Sequence, residues 1–205
     1  MDFDIVVVGT STGGLKALQV LLSGLPADFP LPVVIVQHRA KGSDIGLRDY
    51  LQQSSHMPVI EPDDKEALLP GRVYLAPRDY HLLIENGALA LSTAPPLAHA
   101  RPSIDMLFET AADNYAERVI GVILTGANYD GAQGLSRIKA RGGLTLVQDP
   151  LSAACPQMPA AALEATRADA VLPLDQMAAR LQELTNPSRA QIAFETVYPG
   201  GNARN

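Results

Sequence analysis

Four short runs of mostly apolar residues, separated by stretches with helical spacing, constrain the fold of this chain most strongly. A strand with one solvated face alternates apolar and polar residues, whereas a strand covered on both faces is apolar throughout, as in a parallel sheet. The four runs occupy residues 5–8, 33–36, 119–124 and 144–147. Parallel strands need long crossover connections, which are usually helices. The pattern therefore predicts an α/β fold with a doubly wound, mostly parallel sheet and flanking helices.

The segments between these runs supply the helices and a small insert. Apolar spacing and end signals predict a further short strand at 170–172 and helices at residues 15–22, 44–53, 103–115, 131–141, 159–165 and 175–184. Around a turn at Asn86 and Gly87, the sequence predicts an antiparallel hairpin insert bordering the sheet, with short strands at residues 72–76, 81–84 and 88–91. Residues 1–185 are thus expected to form one domain. Residues 186–205, which are richer in Pro, Gly, Asn and Arg, are expected to form a C-terminal tail.

Composition argues against several classes of function. A chain of 205 residues with 47% hydrophobic residues can bury a substantial core, whereas a formal net charge of −6 and the absence of a basic run argue against nucleic acid as a partner. Cys155 is the only cysteine, which leaves no internal disulfide and no thiolate cluster, as is usual in a reducing cytoplasm. The sequence has no secretory signal pattern and no apolar stretch of membrane-spanning length. We therefore expect a cytoplasmic protein that does not insert directly into a membrane.

The first apolar run ends in a Gly-x-Ser-x-Gly turn that would present Ser11 at the edge of the sheet. Gly9 and Gly13 carry no Cβ and leave room for a sharp strand-to-helix turn, a geometry that exposes a nucleophilic serine. Backbone N–H groups at the start of the next helix would then stabilise negative charge on a substrate oxygen. Two other interpretations fit this stretch: Ser11 as a helix N-cap, and a loop that binds phosphate. A nucleotide site is disfavoured because the stretch matches neither Gly-x-Gly-x-x-Gly nor a P-loop.

Three residues with complementary chemistry follow three of the predicted strands. Ser11 follows the first strand, His38 follows the second, and Asp130 comes after the small-residue loop behind the strand at 119–124. Reactive groups of an open parallel sheet gather beyond the carboxyl ends of its strands. A histidine can remove the serine proton and a carboxylate can orient the histidine, so the three predict a nucleophilic triad. The alternatives are that His38 is bonded to backbone and that Asp130 caps a helix.

The remaining histidines give no indication of a metal site. They lie in loop or hairpin contexts without paired ligand spacing, at His56, His81 and His99. We therefore expect no metal site.

The order of several short motifs resembles that of chemotaxis protein-glutamate methylesterases, specifically their CheB-type catalytic domain. The resemblance covers about residues 3–185 and is carried by the segments 9–14 (GTSTGG), 37–38 (QH), 69–71 (LPG), 74–77 (YLAP), 101–105 (RPSID), 122–126 (VILTG), 130–131 (DG) and 158–159 (MP). By this resemblance the catalytic triad corresponds to Ser11, His38 and Asp130. The implied reaction is hydrolysis of glutamate methyl esters on the cytoplasmic signalling helices of chemoreceptors, with release of methanol and without a cofactor. Some members of the family also deamidate receptor glutamines.

Further residues acquire roles from this resemblance. Backbone N–H groups near Thr12 and, by resemblance, in the loop at Ala127 are expected to bind the oxyanion, and the Thr12 hydroxyl adds a further donor. Arg101 is expected either to position a carboxylate-rich receptor helix or to form a structural salt bridge.

The chain also departs from the family pattern. Ala127 and Asn128 stand where members usually have Met and Gly, which predicts a differently shaped oxyanion loop. Residues 154–157 lack the usual apolar-aromatic-Gly run, and Ala100 is inserted before Arg101, which indicates a different groove and receptor preference. Family members commonly carry an amino-terminal receiver domain, whereas here the first strand begins almost at Met1. We expect a stand-alone esterase, controlled by a receiver domain in trans or always active, or a fragment of a longer chain.

Three functions of different kinds fit the sequence. The first is a serine hydrolase acting on receptor glutamyl esters. The second is a related esterase or amidase that acts on small esters. The third is a non-catalytic binding or regulatory module on the same fold.

Overall fold

A computed structural model describes residues 2–39, 46–97 and 99–185 of the chain. Within these ranges the strands are β1 Ile5–Thr10, β2 Val33–Gln37, β3 Val59–Ile60, β4 Val73–Leu75, β5 His81–Glu85, β6 Ala88–Ser92, β7 Val119–Ile123, β8 Leu144–Gln148 and β9 Ala170–Leu172. The α-helices are α1 Gly14–Ser23, α2 Leu47–Gln52, α3 Ile104–Tyr115, α4 Ala132–Ala140, α5 Gln157–Ala165 and α6 Leu174–Thr185. No helix among the described residues is long and apolar enough to cross a bilayer.

Seven strands of the described chain form one parallel sheet in the order β3-β4-β2-β1-β7-β8-β9. The chain adds β2 on one side of β1 and β7 on the other, which places a topological switch point at the carboxyl end of β1. The remaining two strands, β5 and β6, form an antiparallel hairpin. The predicted α/β fold with a mostly parallel sheet, flanking helices and a small hairpin insert is therefore confirmed.

Two hydrophobic clusters, one on each face of the sheet, explain the uninterrupted apolar runs. Along β1, Val6 and Val8 join the first cluster, and Ile5 and Val7 join the second. Helices α1 and α6 supply buried residues to the first cluster, at Leu18, Leu21, Leu22, Met177, Ala178 and Leu181. Helices α3, α4 and α5 supply the second, at Ile104, Leu107, Phe108, Ala111, Ala112, Leu135, Ile138, Met158 and Ala162. Because successive residues of a strand face opposite clusters, neighbouring positions along it are both apolar.

The assignment of residues 72–76 to the antiparallel insert was wrong. Residues Val73–Leu75 form β4, which pairs in parallel with β2 and β3 inside the main sheet. Its three residues are fully buried, because β4 is covered on both faces like its neighbours. The prediction also missed β3, whose two residues give no periodic signal. The start of the predicted helix at 44–53 and the tail at 186–205 lie outside the described residues.

Candidate active site

The carboxyl ends of β1, β2 and β7 meet at one edge of the sheet. β1 pairs in parallel with both β2 and β7, so the residues that follow these strands lie near one another. Ser11 follows β1, His38 follows β2, and Asp130 lies in the loop between β7 and α4. Ser11 and His38 line a pocket of about 520 Å³, whereas Asp130 is buried beside His38. The structure thus brings the three predicted residues to one place.

The turn at Ser11 is held by backbone and side-chain hydrogen bonds. The Ser11 N–H donates to the carbonyl of Thr125 at 3.0 Å, and the Ser11 carbonyl accepts from Gly14 N–H and from the Gln37 amide, each at 2.9 Å. Gly14 gives the Gln37 side chain its room, since a Cβ there would lie 2.0 Å from Gln37 Oε1. The residue that caps α1 is Gly13, with φ of 82°, and no side chain caps this helix. The N-cap interpretation of Ser11 was therefore wrong.

The ring of His38 lies between two side chains. Its Nε2 is 2.7 Å from Asp130 Oδ2, and its Nδ1 is 3.0 Å from the amide nitrogen of Asn128. The Asp130 backbone N–H donates to Asn128 Oδ1 at 3.1 Å, so the other end of that amide is its NH₂ group. An NH₂ group can only donate, so Nδ1 carries a lone pair and Nε2 carries the proton. The bonds thus assign a neutral ring with its proton facing Asp130, and its partners are side chains, not the backbone that one interpretation expected.

Asp130 lies at the N-terminus of a neighbouring helix, α3. Besides the His38 ring, its carboxylate accepts hydrogen bonds from Ile104 N–H at 2.7 Å, Asp105 N–H at 3.0 Å and the Ser103 hydroxyl at 3.0 Å. Burial would raise the pKa of Asp130, but the hydrogen bonds from His38 and from the two backbone N–H groups together hold that pKa below its usual value. The helix N-terminus favours the same anionic form. Asp130 therefore remains ionised although it is buried.

A second aspartate, Asp105, caps the helix that follows Asp130. Its Oδ1 accepts from Gly131 N–H at 2.9 Å and from Gly134 N–H at 2.7 Å, at the start of α4. The interpretation of Asp130 as the cap of its own helix was therefore wrong: each aspartate caps the other's helix. Burial, and to a lesser extent the charge of Asp130, raises the pKa of Asp105 to about 6, although both N–H groups oppose this rise.

Two backbone N–H groups near Ser11 are available as donors. Within the described part of the chain, neither Thr12 N–H nor Ala127 N–H donates to an acceptor. The carbonyl of Thr12 accepts from the Thr125 hydroxyl at 2.9 Å, which ties the loop after β1 to the loop after β7. In the same described residues, no hydrogen bond joins the Ser11 hydroxyl to His38, whose Nδ1 faces Asn128.

Three arginines also line the pocket, and one of them corrects an expectation. Arg101 donates to the carbonyls of Thr93 and Ala94, each at 3.1 Å, and its buried Nε has no partner. No carboxylate of the described residues pairs with it, so the salt-bridge interpretation was wrong. Arg39 pairs with Glu61 at 2.7 Å, and Arg78, the third arginine of the pocket, pairs at 3.4 Å with Asp79, which also lines the pocket. Three arginines and one aspartate thus line the pocket, in a chain that is acidic overall.

An apolar hollow adjoins this pocket. Ser11 and His38 also line the hollow, which has a volume of about 560 Å³. Its apolar lining includes Leu15, Leu47 and Tyr50, and Leu15 is 47% exposed. The reactive residues therefore lie where this arginine-lined pocket and an apolar hollow meet.

Sequence reasoning missed several side chains that hold the site. Gln37, Ser103, Asp105 and Asn128 were seen only as parts of motifs or as departures from them. Ser103 after a proline is a recognisable helix cap, but nothing local indicates that its helix points at Asp130. Asn128, two residues before Asp130, has the spacing at which an asparagine bonds the backbone ahead of it. His81, which is fully buried, accepts from Ser103 N–H at 3.2 Å and so joins the hairpin to α3.

Comparisons with known proteins agree on one family. The family model described as CheB methylesterase matches residues 6–181. A Leptospira interrogans protein, proposed to be a protein-glutamate methylesterase/protein-glutamine glutaminase, is 46% identical over 179 residues, covering 87% of this chain and 93% of the relative. An Anaeromyxobacter dehalogenans protein-glutamate methylesterase/protein-glutamine glutaminase is also 46% identical, over 89% of this chain. The match covers 53% of that protein, so this chain spans about half its length.

A solved structure supports the same comparison. The Thermotoga maritima CheB methylesterase catalytic domain superposes with a TM-score of 0.84 and 36% sequence identity. The match covers 90% of this chain and 100% of that domain.

Proposed function

The chain belongs to the CheB methylesterase family, and we propose that it hydrolyses glutamate methyl esters on the signalling helices of chemoreceptors. Its relatives carry the names protein-glutamate methylesterase and protein-glutamine glutaminase. The observation that carries the proposal is the pocket that Ser11 and His38 line together, with the His38 ring bonded to the buried carboxylate of Asp130.

In the proposed mechanism, the Ser11 hydroxyl attacks the ester carbonyl while Nδ1 of His38 takes the hydroxyl proton. His38 then gives this proton to the departing methoxide, and methanol leaves an acyl-enzyme. A water molecule, deprotonated by His38, hydrolyses the acyl-enzyme and regenerates Ser11. Asp130 keeps the Nε2 proton in place and stabilises the positive ring that forms in each step.

The oxyanion of each tetrahedral intermediate would accept hydrogen bonds from Thr12 N–H and Ala127 N–H. Both groups have no acceptor within the described residues, as donors reserved for a transient charge require. One such donor typically stabilises the transition state by about 3 kcal/mol.

Charge and hydrophobicity around Ser11 support an acidic helix as substrate. Arg101, which pairs with no carboxylate of the described residues, lines the pocket with Arg39 and Arg78 and would face carboxylates that flank the ester. Arg39 and Arg78 already pair with Glu61 and Asp79. The hollow with Leu15 and Tyr50 would accommodate apolar side chains of the same helix. A helix that carries glutamates on one stripe and apolar residues on the next fits both surfaces.

Deamidation is a second candidate reaction. The printed names of several relatives include protein-glutamine glutaminase, and the same acyl-enzyme forms when Ser11 attacks a glutamine side chain and ammonia leaves. Control of either reaction by a receiver domain in trans stays a prediction, as does the location of the protein in the cytoplasm.

Methanol release from methylated receptor membranes tests the proposal. The wild type should release methanol, and Ser11→Ala should lower the rate by on the order of 10³-fold or more, because the nucleophile is lost. Ser23→Ala is the matched control, since that exposed hydroxyl donates to the Val20 carbonyl at the end of α1 and lies outside the pocket. Equal release by the wild type and Ser11→Ala would refute the proposal.

The same preparations separate the alternative functions. Ammonia release from receptors that carry glutamine measures deamidation, and a small chromogenic ester measures simple esterase activity. A wild type that hydrolyses the small ester but not methylated receptors would support the small-ester esterase. A protein inactive on all three substrates would support a binding or regulatory module.

A further inference from the structure

The amide of Asn128 occupies the only lone pair on the neutral His38 ring. Nε2 carries a proton and donates it to Asp130, whereas Nδ1 accepts from Asn128 Nδ2 at 3.0 Å. A 180° rotation of the amide would break a second hydrogen bond, because the amide oxygen accepts the Asp130 N–H at 3.1 Å. Asn128 is half-buried and lines the same pocket as Ser11.

This bond conflicts with the proposed first step. The proton of the Ser11 hydroxyl has to reach Nδ1, since Asp130 occupies the other ring nitrogen. One lone pair cannot accept the Asn128 N–H and the Ser11 O–H at full strength together. Consistent with this conflict, the described residues contain no hydrogen bond between the Ser11 hydroxyl and the ring.

We propose that Asn128 is a positioning residue that covers the catalytic base of the substrate-free enzyme and has to release it before Ser11 can react. This inference rests on the proposed function of Ser11 and His38. When the amide turns away from the ring, Nδ1 accepts the Ser11 proton as the bond from Ser11 Oγ to the carbonyl carbon forms. The protonated ring then repels the amide N–H, so Asn128 stays away until His38 has passed the proton to the leaving group.

The size of the effect follows from the strength of one neutral hydrogen bond. Such a bond contributes about 0.5–1.5 kcal/mol net, which corresponds to about 2- to 10-fold in an equilibrium. Removing the bond should therefore raise the reactivity of Ser11 by about 2- to 10-fold at a pH where the ring is neutral. At lower pH, where the ring is already protonated, the same change should leave the rate unaltered. At that pH the reaction starts from the protonated ring, which accepts no hydrogen bond from Asn128. The free energy needed to reach the uncovered neutral ring is therefore the same with and without the amide.

The rate of Ser11 labelling by a fluorophosphonate probe, measured across pH, tests the inference. Asn128→Ser is the first variant, because a serine hydroxyl can still accept the Asp130 N–H but is too short to reach the ring. Asn114→Ala is the matched control, since that asparagine bonds the backbone of Ile84 and Asn86 outside the pocket. We expect Asn128→Ser to react faster on the high-pH plateau and at the wild-type rate on the acidic limb, with Asn114→Ala unchanged throughout.

Asn128→Asp keeps an acceptor for the Asp130 N–H but places a carboxylate beside Nδ1. Because a carboxylate favours a proton on Nδ1, which then cannot accept the Ser11 proton, this variant should label more slowly than Asn128→Ser on the plateau. A plateau rate for Asn128→Ser equal to or below that of the wild type would overturn the inference. A rate change of equal size at every pH would also overturn it, because it indicates a structural role. If the wild type does not label, or labels equally after Ser11→Ala, the proposed function itself fails, which distinguishes the two outcomes.

Discussion

Mild acidification should raise the free energy of unfolding of the wild-type protein, and Asp105→Asn should abolish this rise. The pKa of Asp105 is raised to about 6 in the folded protein, mainly by burial, whereas an aspartate in the unfolded chain titrates near 3.9. The folded state therefore binds the Asp105 proton more tightly than the unfolded state does. This contribution to stability is absent well above pH 6 and grows as the pH falls through about 6.

The magnitude follows from these two pKa values. Between about pH 7.5 and about pH 5, linkage gives a gain of roughly 1.4 kcal/mol in the free energy of unfolding. Because Asp105 is partly exposed, solvent screening reduces the expected gain to about 0.7 kcal/mol. Asp130 does not add to it, since a lowered pKa gives stability that is complete above about pH 4 and is lost only below.

Urea unfolding followed by circular dichroism at the two pH values, at fixed ionic strength, measures this contribution. The asparagine side chain introduced by Asp105→Asn can still accept the N–H groups of Gly131 and Gly134 but cannot titrate, so the variant isolates the proton. Asp49→Asn, on the exposed surface of α2, controls for the loss of an aspartate. The quantity of interest is the stability of the wild type minus that of each variant, which cancels the titration of all other groups.

The reasoning is refuted if the wild type and Asp105→Asn gain or lose the same stability between the two pH values. It is also refuted if Asp49→Asn removes the gain as fully as Asp105→Asn does. Either result would mean that burial between α3 and α4 does not hold the Asp105 proton.

Two further substitutions address the site itself. Asp130→Asn leaves at least one of the four donors around this carboxylate without an acceptor. The free energy of unfolding should therefore fall by about 1–3 kcal/mol. Methanol release should be at least about 100-fold slower. Wild-type methanol release by a folded Asp130→Asn would contradict the role given to Asp130. Gly14→Ala places a Cβ 2.0 Å from Gln37 Oε1, so the Gln37 amide should leave the Ser11 carbonyl, with a cost in urea unfolding of about 1–3 kcal/mol and slower probe labelling of Ser11. Unchanged labelling by Gly14→Ala would show that Gln37 does not hold the turn.

The sheet could be predicted from the sequence because its central strands are covered on both faces. Residues 5–8 of β1 and 33–36 of β2 pack alternately against the two clusters, so burial leaves an uninterrupted apolar run in each strand. The same local pattern misled the prediction at 72–76. A run of that length fits a short hairpin strand and a short parallel strand equally well, and only pairing with β2 decides between them.

From the sequence, only those residues of the candidate site that follow the ends of strands could be predicted. Ser11 and His38 follow strands directly, and the topology brings those ends together. The environment of Asp130 depends instead on α3, whose N-terminus lies 25 to 27 residues away along the chain. Contacts between residues this far apart produce no periodic pattern in the sequence. The bond between Asn128 and His38, which joins residues 90 positions apart, could not be predicted for the same reason.

Helix N-termini, not lysine or arginine side chains, donate hydrogen bonds to the two aspartates of the site. Asp130 accepts N–H groups at the start of α3, Asp105 accepts N–H groups at the start of α4, and no Lys or Arg of the described chain pairs with either. A lysine or arginine beside Asp130 would compete for its carboxylate with the positive ring that forms on His38. The His38 ring and the backbone N–H groups together keep Asp130 ionised without a lysine or arginine, so the charge of His38 in the reaction meets a carboxylate already held in place.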